Sequence, residues 1–198
     1  MRALVMAAGL GTRLRPLTEN LPKPLVPVRG RPMVEFVLDR LALAGVREAV
    51  INIHYLPEKM VEFVEAWNGK PGVPRLWMQD ESGKILGSGG AVSLAADWLF
   101  ESEDLALVCN SDVIASPDFS QMVAAHRAIR ARSGVECTLA VLKNSEAGVK
   151  YTGLRVRDGL VLAFEKTGKA DPDLWHFPGF YLLQKEAIQR LPSPGARS

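Results

Sequence analysis

Apolar positions fall into short blocks that alternate with stretches of helical period through much of the chain. An apolar run at residues 3–6 predicts a buried strand over 2–7. Residues 33–44 predict a helix, with Pro32 near its start and Gly45 just past its end. Strands follow at 49–53, 75–78 and 105–109. Helices are predicted at 58–67, entered through Pro57, at 90–99, opened by Gly87-Ser88-Gly89-Gly90, and at 116–131, started by Ser116-Pro117. Such alternation argues for a mainly parallel sheet with helices on both faces. After Val135 the rhythm changes. Residues 137–142, 154–157, 160–165 and 177–183 are mostly strand-like, with a tight turn at Asp158-Gly159, and predict an antiparallel extension of the sheet.

The 198 residues suit a single domain, 1–198. A hydrophobic fraction of 47% and a charged fraction of 23% are ordinary globular values. The net charge of +2 is too mild for a nucleic-acid partner, which needs a concentrated basic stripe. No apolar stretch approaches membrane-spanning length. The two cysteines, Cys109 and Cys137, lack zinc-site spacing; Cys109 reads as a buried free thiol, which fits a reduced, cytoplasmic setting. His54, His126 and His176 form no ligand pattern, and His126 is expected to be half exposed. Trp67, Trp77, Trp98 and Trp175 read as core or rim.

Chemistry enters directly after the first strand. Ala7-Ala8-Gly9-Leu10-Gly11-Thr12-Arg13-Leu14-Arg15-Pro16-Leu17-Thr18 closes at Pro22-Lys23-Pro24. A Walker A loop is absent, and Leu14 stands where the dinucleotide fingerprint needs its last glycine. The backbone N–H groups of Gly9 to Thr12 can still line an anion nest. Arg13 can fork across phosphate oxygens, and Lys23 is a point charge between two prolines. The bland alternative is a basic surface turn. Asp112 follows an apolar strand, so it belongs at the carboxyl edge where open α/β sheets bind ligands. A carboxylate there suits magnesium held by few protein ligands plus phosphate oxygens. The alternative is a cap for the following helix.

Together these segments closely resemble the nucleotidylyltransferases that join a nucleoside triphosphate (NTP) to a sugar 1-phosphate. The similarity includes the first loop and Asn52-Ile53-His54-Tyr55-Leu56-Pro57-Glu58. It continues through Glu81 with Ile85-Leu86-Gly87-Ser88-Gly89-Gly90 and through Asn110-Ser111-Asp112. Lys150-Tyr151-Thr152-Gly153, Glu165-Lys166 and Pro178-Gly179-Phe180-Tyr181 complete it, in family order. The resemblance implies an α/β, Rossmann-like three-layer sandwich with a mainly parallel mixed sheet and an antiparallel extension in the C-terminal third. Its nucleotide-binding half would be 1–134 and its sugar-phosphate half 135–198.

The resemblance also implies roles. Arg13, Lys23, Asp112 and Lys166 would carry catalysis. Ala8, Gly9, Gly11, Thr12, Arg13, Lys23, Gly89 and Asn110 would bind the nucleotide. Gly153, Glu165, Lys166 and Gly179 would bind the sugar phosphate, and Asp112 would hold Mg2+. The partners implied are an NTP and a sugar 1-phosphate, with no nucleic acid and no membrane; a homodimer is allowed. The INxHxLPE segment and LGxGG loop look most like muramic acid or mannose 1-phosphate nucleotidylyltransferases, in nucleotide-sugar or cell-wall synthesis. Phosphocholine cytidylyltransferases share much of the front half. The family's second magnesium ligand, in a late W-x-D-x-G-T segment, has no match here. The expectation is therefore a metal site built differently, a shortened form with impaired chemistry, or a non-catalytic nucleotide-sugar binding module.

Overall fold

A computed structural model describes residues 1–191. The chain runs β1 (Ala3–Met6), β2 (Pro27–Val28), β3 (Arg31–Pro32), α1 (Met33–Leu43), β4 (Glu48–Ile53), α2 (Pro57–Asn68), β5 (Arg75–Asp80) and α3 (Gly87–Leu99). It continues β6 (Leu105–Asn110), α4 (Phe119–Ser133), β7 (Cys137–Leu139), β8 (Leu142–Lys143), β9 (Gly153–Arg157), β10 (Leu160–Glu165), β11 (Leu174–His176) and β12 (Phe180–Gln184). Two compact units result: Met1–Thr138 with the chain from Tyr181 onward, and Leu139–Phe180.

The first unit is built on a six-stranded sheet ordered β5-β4-β1-β6-β12-β7. β1 pairs in parallel with both β4 and β6, and β4 with β5. Leu4, Val5, Ile51, Leu107 and Val108 are almost wholly buried, which is why these strands read as continuous apolar runs. α1 buries Val34, Val37, Leu38 and Leu41, one stripe at helical spacing. It ends on Gly45, whose φ of 74° lets Val46 N–H reach the Leu41 carbonyl (3.0 Å) and Gly45 N–H the Ala42 carbonyl (2.9 Å). Strand order steps outward from β1 to β4 to β5, then crosses back to β6. Right-handed crossovers put α1 and α2 on one face and α3 on the other. β1 and β6 thus flank the point where the winding reverses, and the crevice beyond their carboxyl ends is where such a fold receives ligands.

Three element starts move by three residues from those expected. α3 starts at Gly87, so the small-residue loop forms its first turn. α4 starts at Phe119 instead of Ser116, because the Asp118 carboxylate accepts the Gln121 N–H (2.9 Å). The last strand starts at Phe180, because Pro178 has no N–H and Gly179, at φ 99°, leaves the extended region. His126 is fully buried and not half exposed. It bonds Thr138 Oγ1 through Nδ1 (2.8 Å) and meets Gln184 Nε2 through Nε2 (2.9 Å). Cys109 is buried and free, and burial pushes its thiol pKa up.

The second unit is carried by a four-stranded sheet ordered β10-β9-β11-β8. The antiparallel strands 8 to 11 are thus a sheet of their own, while β12 and β7 complete the first sheet. Gly153 in β9 is required by packing: a Cβ there would lie 2.7 Å from Leu174 Cδ1 and 3.0 Å from the Gly148 nitrogen. No helix among the described residues is long and apolar enough to cross a membrane. Residues 192–198, the last of the positions without the late W-x-D-x-G-T segment, lie outside the described residues.

Candidate active site

The crevice at the winding reversal holds a cavity of about 140 Å³ lined by Met6, Ala7, Gly9, Lys23, Pro24, Asn110, Ser111 and Asp112. Its walls come from the loop after β1 and the loop after β6. Register explains their meeting, since Met6 and Asn110 are direct partners across the β1–β6 pair. One residue further, Ser111 closes the strand ends together. Its N–H (3.1 Å) and its hydroxyl (2.7 Å) both donate to the Met6 carbonyl. Asp112 follows and is thereby aimed at the first loop.

That loop is shaped by its glycine and threonine. Gly11 has φ 65°, and a Cβ on it would come within 3.0 Å of Thr18 Cγ2 and 3.1 Å of Lys23 Cβ. Only glycine suits a left-handed position this crowded. The buried Thr18 hydroxyl donates to the Gly11 carbonyl (2.9 Å), and Leu14 N–H reaches the same oxygen (2.9 Å). The chain returns through a 3-10 turn over Lys23–Leu25, seated by the buried Pro24. Lys23 Cβ thereby lies beside Gly11, against the loop.

Lys23 Nζ donates to Asp112 Oδ2, and the two side chains are 23% and 30% exposed. The cation and carboxylate expected for phosphate and metal thus occupy one half-buried spot. Asp112 Oδ1 has no bond among the described residues. Asp118 caps the following helix, so Asp112 is not needed there. Arg13 and Arg15 are exposed and carry no ion pair among the described residues. Both lie outside the lining of the cavity.

The N–H groups of Gly9 through Thr12 donate to nothing among the described residues, as an anion nest requires. Ala8 differs. Its N–H (3.2 Å) and that of Ala7 (2.5 Å) both donate to Asn52 Oδ1. The donor row open to a ligand therefore begins at Gly9. Gly89 lies in the first turn of α3, where N–H groups have no intrahelical acceptor and no side chain caps them.

In the second unit, Gly153 and Glu165 face each other in the β9–β10 register. Arg155 holds Glu165 through two bonds, Nε to Oε1 (2.6 Å) and Nη2 to Oε2 (2.8 Å). It also reaches Asp171 (2.8 Å). These bonds hold both carboxyls below the ordinary carboxylate range. Lys166 is exposed, and Gly179 is buried at φ 99°.

Among the described residues, no group of three His, Cys, Asp or Glu is gathered for a metal. Asp112, Asn110 and Ser111 are oxygen-bearing side chains around one cavity. That set fits Mg2+, which keeps most of its shell for water and phosphate oxygens, and does not fit zinc.

Asn52, Gln79, Ser111 and Arg155 have no functional role expected from the sequence, and Asn52, Ser111 and Glu81 stand there only within motifs. Asn52 carries a signal, since it is a polar residue inside the apolar run of β4 and a buried polar group must find partners; Gln79 carries none, since it follows the apolar residues of β5 beside Asp80. Ser111 and Arg155 carry none, because their partners are set by strand register.

A family model described as nucleotidyl transferase matches residues 2–193. Among curated proteins, the chain is 34% identical over 194 residues to "Probable mannose-1-phosphate guanylyltransferase 3" of Oryza sativa subsp. japonica, covering 96% of this chain and 52% of that protein. It is 38% identical over 146 residues to "Mannose-1-phosphate guanyltransferase" of Schizosaccharomyces pombe, covering 74% and 39%. The chain thus spans about half the length, or less, of these curated relatives. Among solved structures, a putative glucose-1-phosphate thymidylyltransferase from Bacillus anthracis in complex with a sucrose superposes with a TM-score of 0.80 at 19% identity, covering 96% of this chain and 73% of that one. HddC from Yersinia pseudotuberculosis complexed with GMP-PN gives 0.74 at 20% identity, covering 98% and 80%. At such identities the structural likeness shows the fold.

Proposed function

Because this chain belongs to the nucleotidyl transferase family, we propose that it transfers a nucleotidyl group from an NTP to a sugar 1-phosphate, releasing pyrophosphate. The observation that carries the reading is the Lys23–Asp112 pair in the β1–β6 crevice, whose lining also includes Gly9, the first of the open backbone donors. The names of the curated relatives favour GTP and mannose 1-phosphate.

An anionic oxygen of the sugar phosphate attacks the α-phosphorus. A new phosphorus–oxygen bond forms, the bond from the α-phosphorus to the bridging oxygen breaks, and pyrophosphate departs with that oxygen. The nucleophile arrives deprotonated, so the protein needs no strong base. Its work is positioning and charge stabilisation. The N–H groups of Gly9 to Thr12, with Arg13 and Lys23, hold the triphosphate and the departing pyrophosphate. Gly89 gives the nucleotide a close backbone approach at the start of α3. Lys166 holds the attacking phosphate. Glu165, kept ionised by Arg155, accepts hydrogen bonds from sugar hydroxyls near Gly153 and Gly179. Asp112 and Asn110 would hold Mg2+, which when bound neutralises charge on the phosphate oxygens.

The test is pyrophosphate release with magnesium across a panel of NTPs and acceptors. GTP with mannose 1-phosphate is the expected best pair; UTP with N-acetylmuramate 1-phosphate and CTP with phosphocholine are the nearest competitors. Release with none of these pairs, alongside measurable nucleotide binding, overturns the transferase reading in favour of a binding module.

A further inference from the structure

Glu81 is 3% exposed and bonds to no cation among the described residues. Every partner of its carboxylate is an N–H donor. Oε1 accepts from Asn52 Nδ2 (2.9 Å) and from Gln79 Nε2 (2.9 Å). Oε2 accepts from the Leu86 backbone N–H (3.2 Å). The backbone of Glu81 is equally held. Its N–H donates to the Ile53 carbonyl (2.8 Å), and its carbonyl accepts from His54 Nδ1 (2.6 Å) and Lys84 N–H (3.0 Å).

The two carboxylate oxygens lead to different places. From Oε1 the path runs through Asn52. Because the Asn52 amide must present its NH2 to Glu81, its oxygen is turned to the N–H groups of Ala7 and Ala8. That fixes the entry to the first glycine loop and leaves Gly9 as the first open donor. From Oε2 the bond holds Leu86, the residue at which α3 and its small-residue first turn begin. Gln79 closes the frame by also donating to the Ala91 carbonyl on α3 (3.1 Å). One buried carboxylate therefore spans the two loops.

We propose that Glu81 is a positioning residue that locks the loop after β1 and the start of α3 into one rigid nucleotide cradle. The proposal rests on the transferase reading for its substrate, an NTP that touches both loops, but not for its geometry. A carboxylate suits the task because both its oxygens accept. A glutamine offers one acceptor and one NH2. Its least conflicted orientation keeps the oxygen on Asn52 and Gln79 and turns the NH2 against Leu86 N–H. Glu81→Gln thus releases the α3 side alone, and Asn52→Ala releases the first loop alone. Glu81→Ala releases both.

Amide hydrogen exchange on the intact chain reads these outcomes without any turnover. Glu81→Gln should speed exchange at Leu86 by at least about tenfold and leave Ala7 and Ala8 unchanged, since a lost buried acceptor lowers local opening free energy. Asn52→Ala should do the reverse, and Glu81→Ala should speed all three. Titration of both mild variants with magnesium and GTP should show affinity weakened by about tenfold. Where turnover is measurable, the NTP KM should rise with the sugar-phosphate KM unchanged, a split that mere loss of folded protein does not produce. The coupling is overturned if Glu81→Gln leaves Leu86 exchange and nucleotide affinity at wild-type values, or if its effects spread evenly through the sheet. A chain that shows the exchange pattern and binds nucleotide but releases no pyrophosphate loses the transferase reading and keeps the coupling.

Discussion

β6 and β10 are written almost alike, Leu-Ala-Leu-Val-Cys-Asn against Leu-Val-Leu-Ala-Phe-Glu, and they end in opposite environments. In β6 the five apolar residues are 7% exposed or less. In β10, Leu160, Leu162 and Phe164 are 50%, 52% and 63% exposed. β6 lies inside its sheet between β1 and β12, whereas β10 is the edge of its own. β10 also carries a bulge, since Val161 pairs with Val156 and Ala163 with Arg155, leaving Leu162 unmatched. An apolar run therefore announces a strand but not its depth. Depth depends on which strands flank it, and that is fixed by distant segments.

The consequence reaches the chemistry at each strand's end. Beyond β6, Asp112 is placed by parallel register and by Ser111 bonded to the Met6 carbonyl. At the end of β10, Glu165 depends on a cross-strand clamp from Arg155, in a half-exposed setting. The first kind of placement is rigid because the sheet cannot slide. The second holds only as long as an ion pair does.

The comparison can be broken at several points. Leu107→Ala should cost about 2–5 kcal/mol in urea unfolding, the range for a large-to-small change in a packed core. Leu162→Ala should stay within about 0.5 kcal/mol, as exposed substitutions do. Equal costs would erase the distinction. Ser111→Ala should cost about 1 kcal/mol, the scale of one hydrogen bond. It should lower kcat by misplacing Asp112, with the sugar-phosphate KM unchanged.

Arg155→Ala should let the Glu165 and Asp171 carboxyls rise toward their ordinary values, seen by side-chain carbon NMR titration. The sign follows from linkage. Both pKa values lie lower in the folded state, so the stabilisation is complete above the ordinary carboxylate range and is lost as pH falls through the folded values. The variant should lose the Glu165 part of that acid-limb dependence and keep at Asp171 only what the Asp173 N–H and Lys143 sustain.

The smallest effect is expected at His126. Gln184 Nε2 donates to its Nε2, so the proton sits on Nδ1 and is given to Thr138. Burial first, then Arg130 and Arg127, lower its pKa. The unfolded chain takes up this proton at a higher pH than the folded one. Stability should therefore fall from about pH 6.5 downward through the folded pKa. Denaturation at about pH 7 and about pH 5.5 should show that loss, and His126→Gln should flatten it.

Much of the first unit was legible in the sequence. The run to Met6, the glycines after it and Asp112 beyond a second apolar run all survive in place, because parallel buried strands declare themselves locally. The strand expected at 137–142 did not survive as one element. Cys137–Leu139 joins the first sheet and Leu142–Lys143 the second. Nothing local in that stretch says that the chain changes sheets there. The Glu81 hub was legible only at Asn52, a polar residue stranded in an apolar run, and its partners are set by the fold.

Pyrophosphate release by wild type and by Asp112→Ala, with GTP, mannose 1-phosphate and magnesium, tests the central claim most directly. The β1–β6 crevice as the triphosphate site predicts turnover lowered by at least about a hundredfold, the scale of losing one charge-stabilising group. The variant should remain as stable as the parent chain. Turnover within about threefold of wild type would be under 1 kcal/mol of barrier and would contradict it.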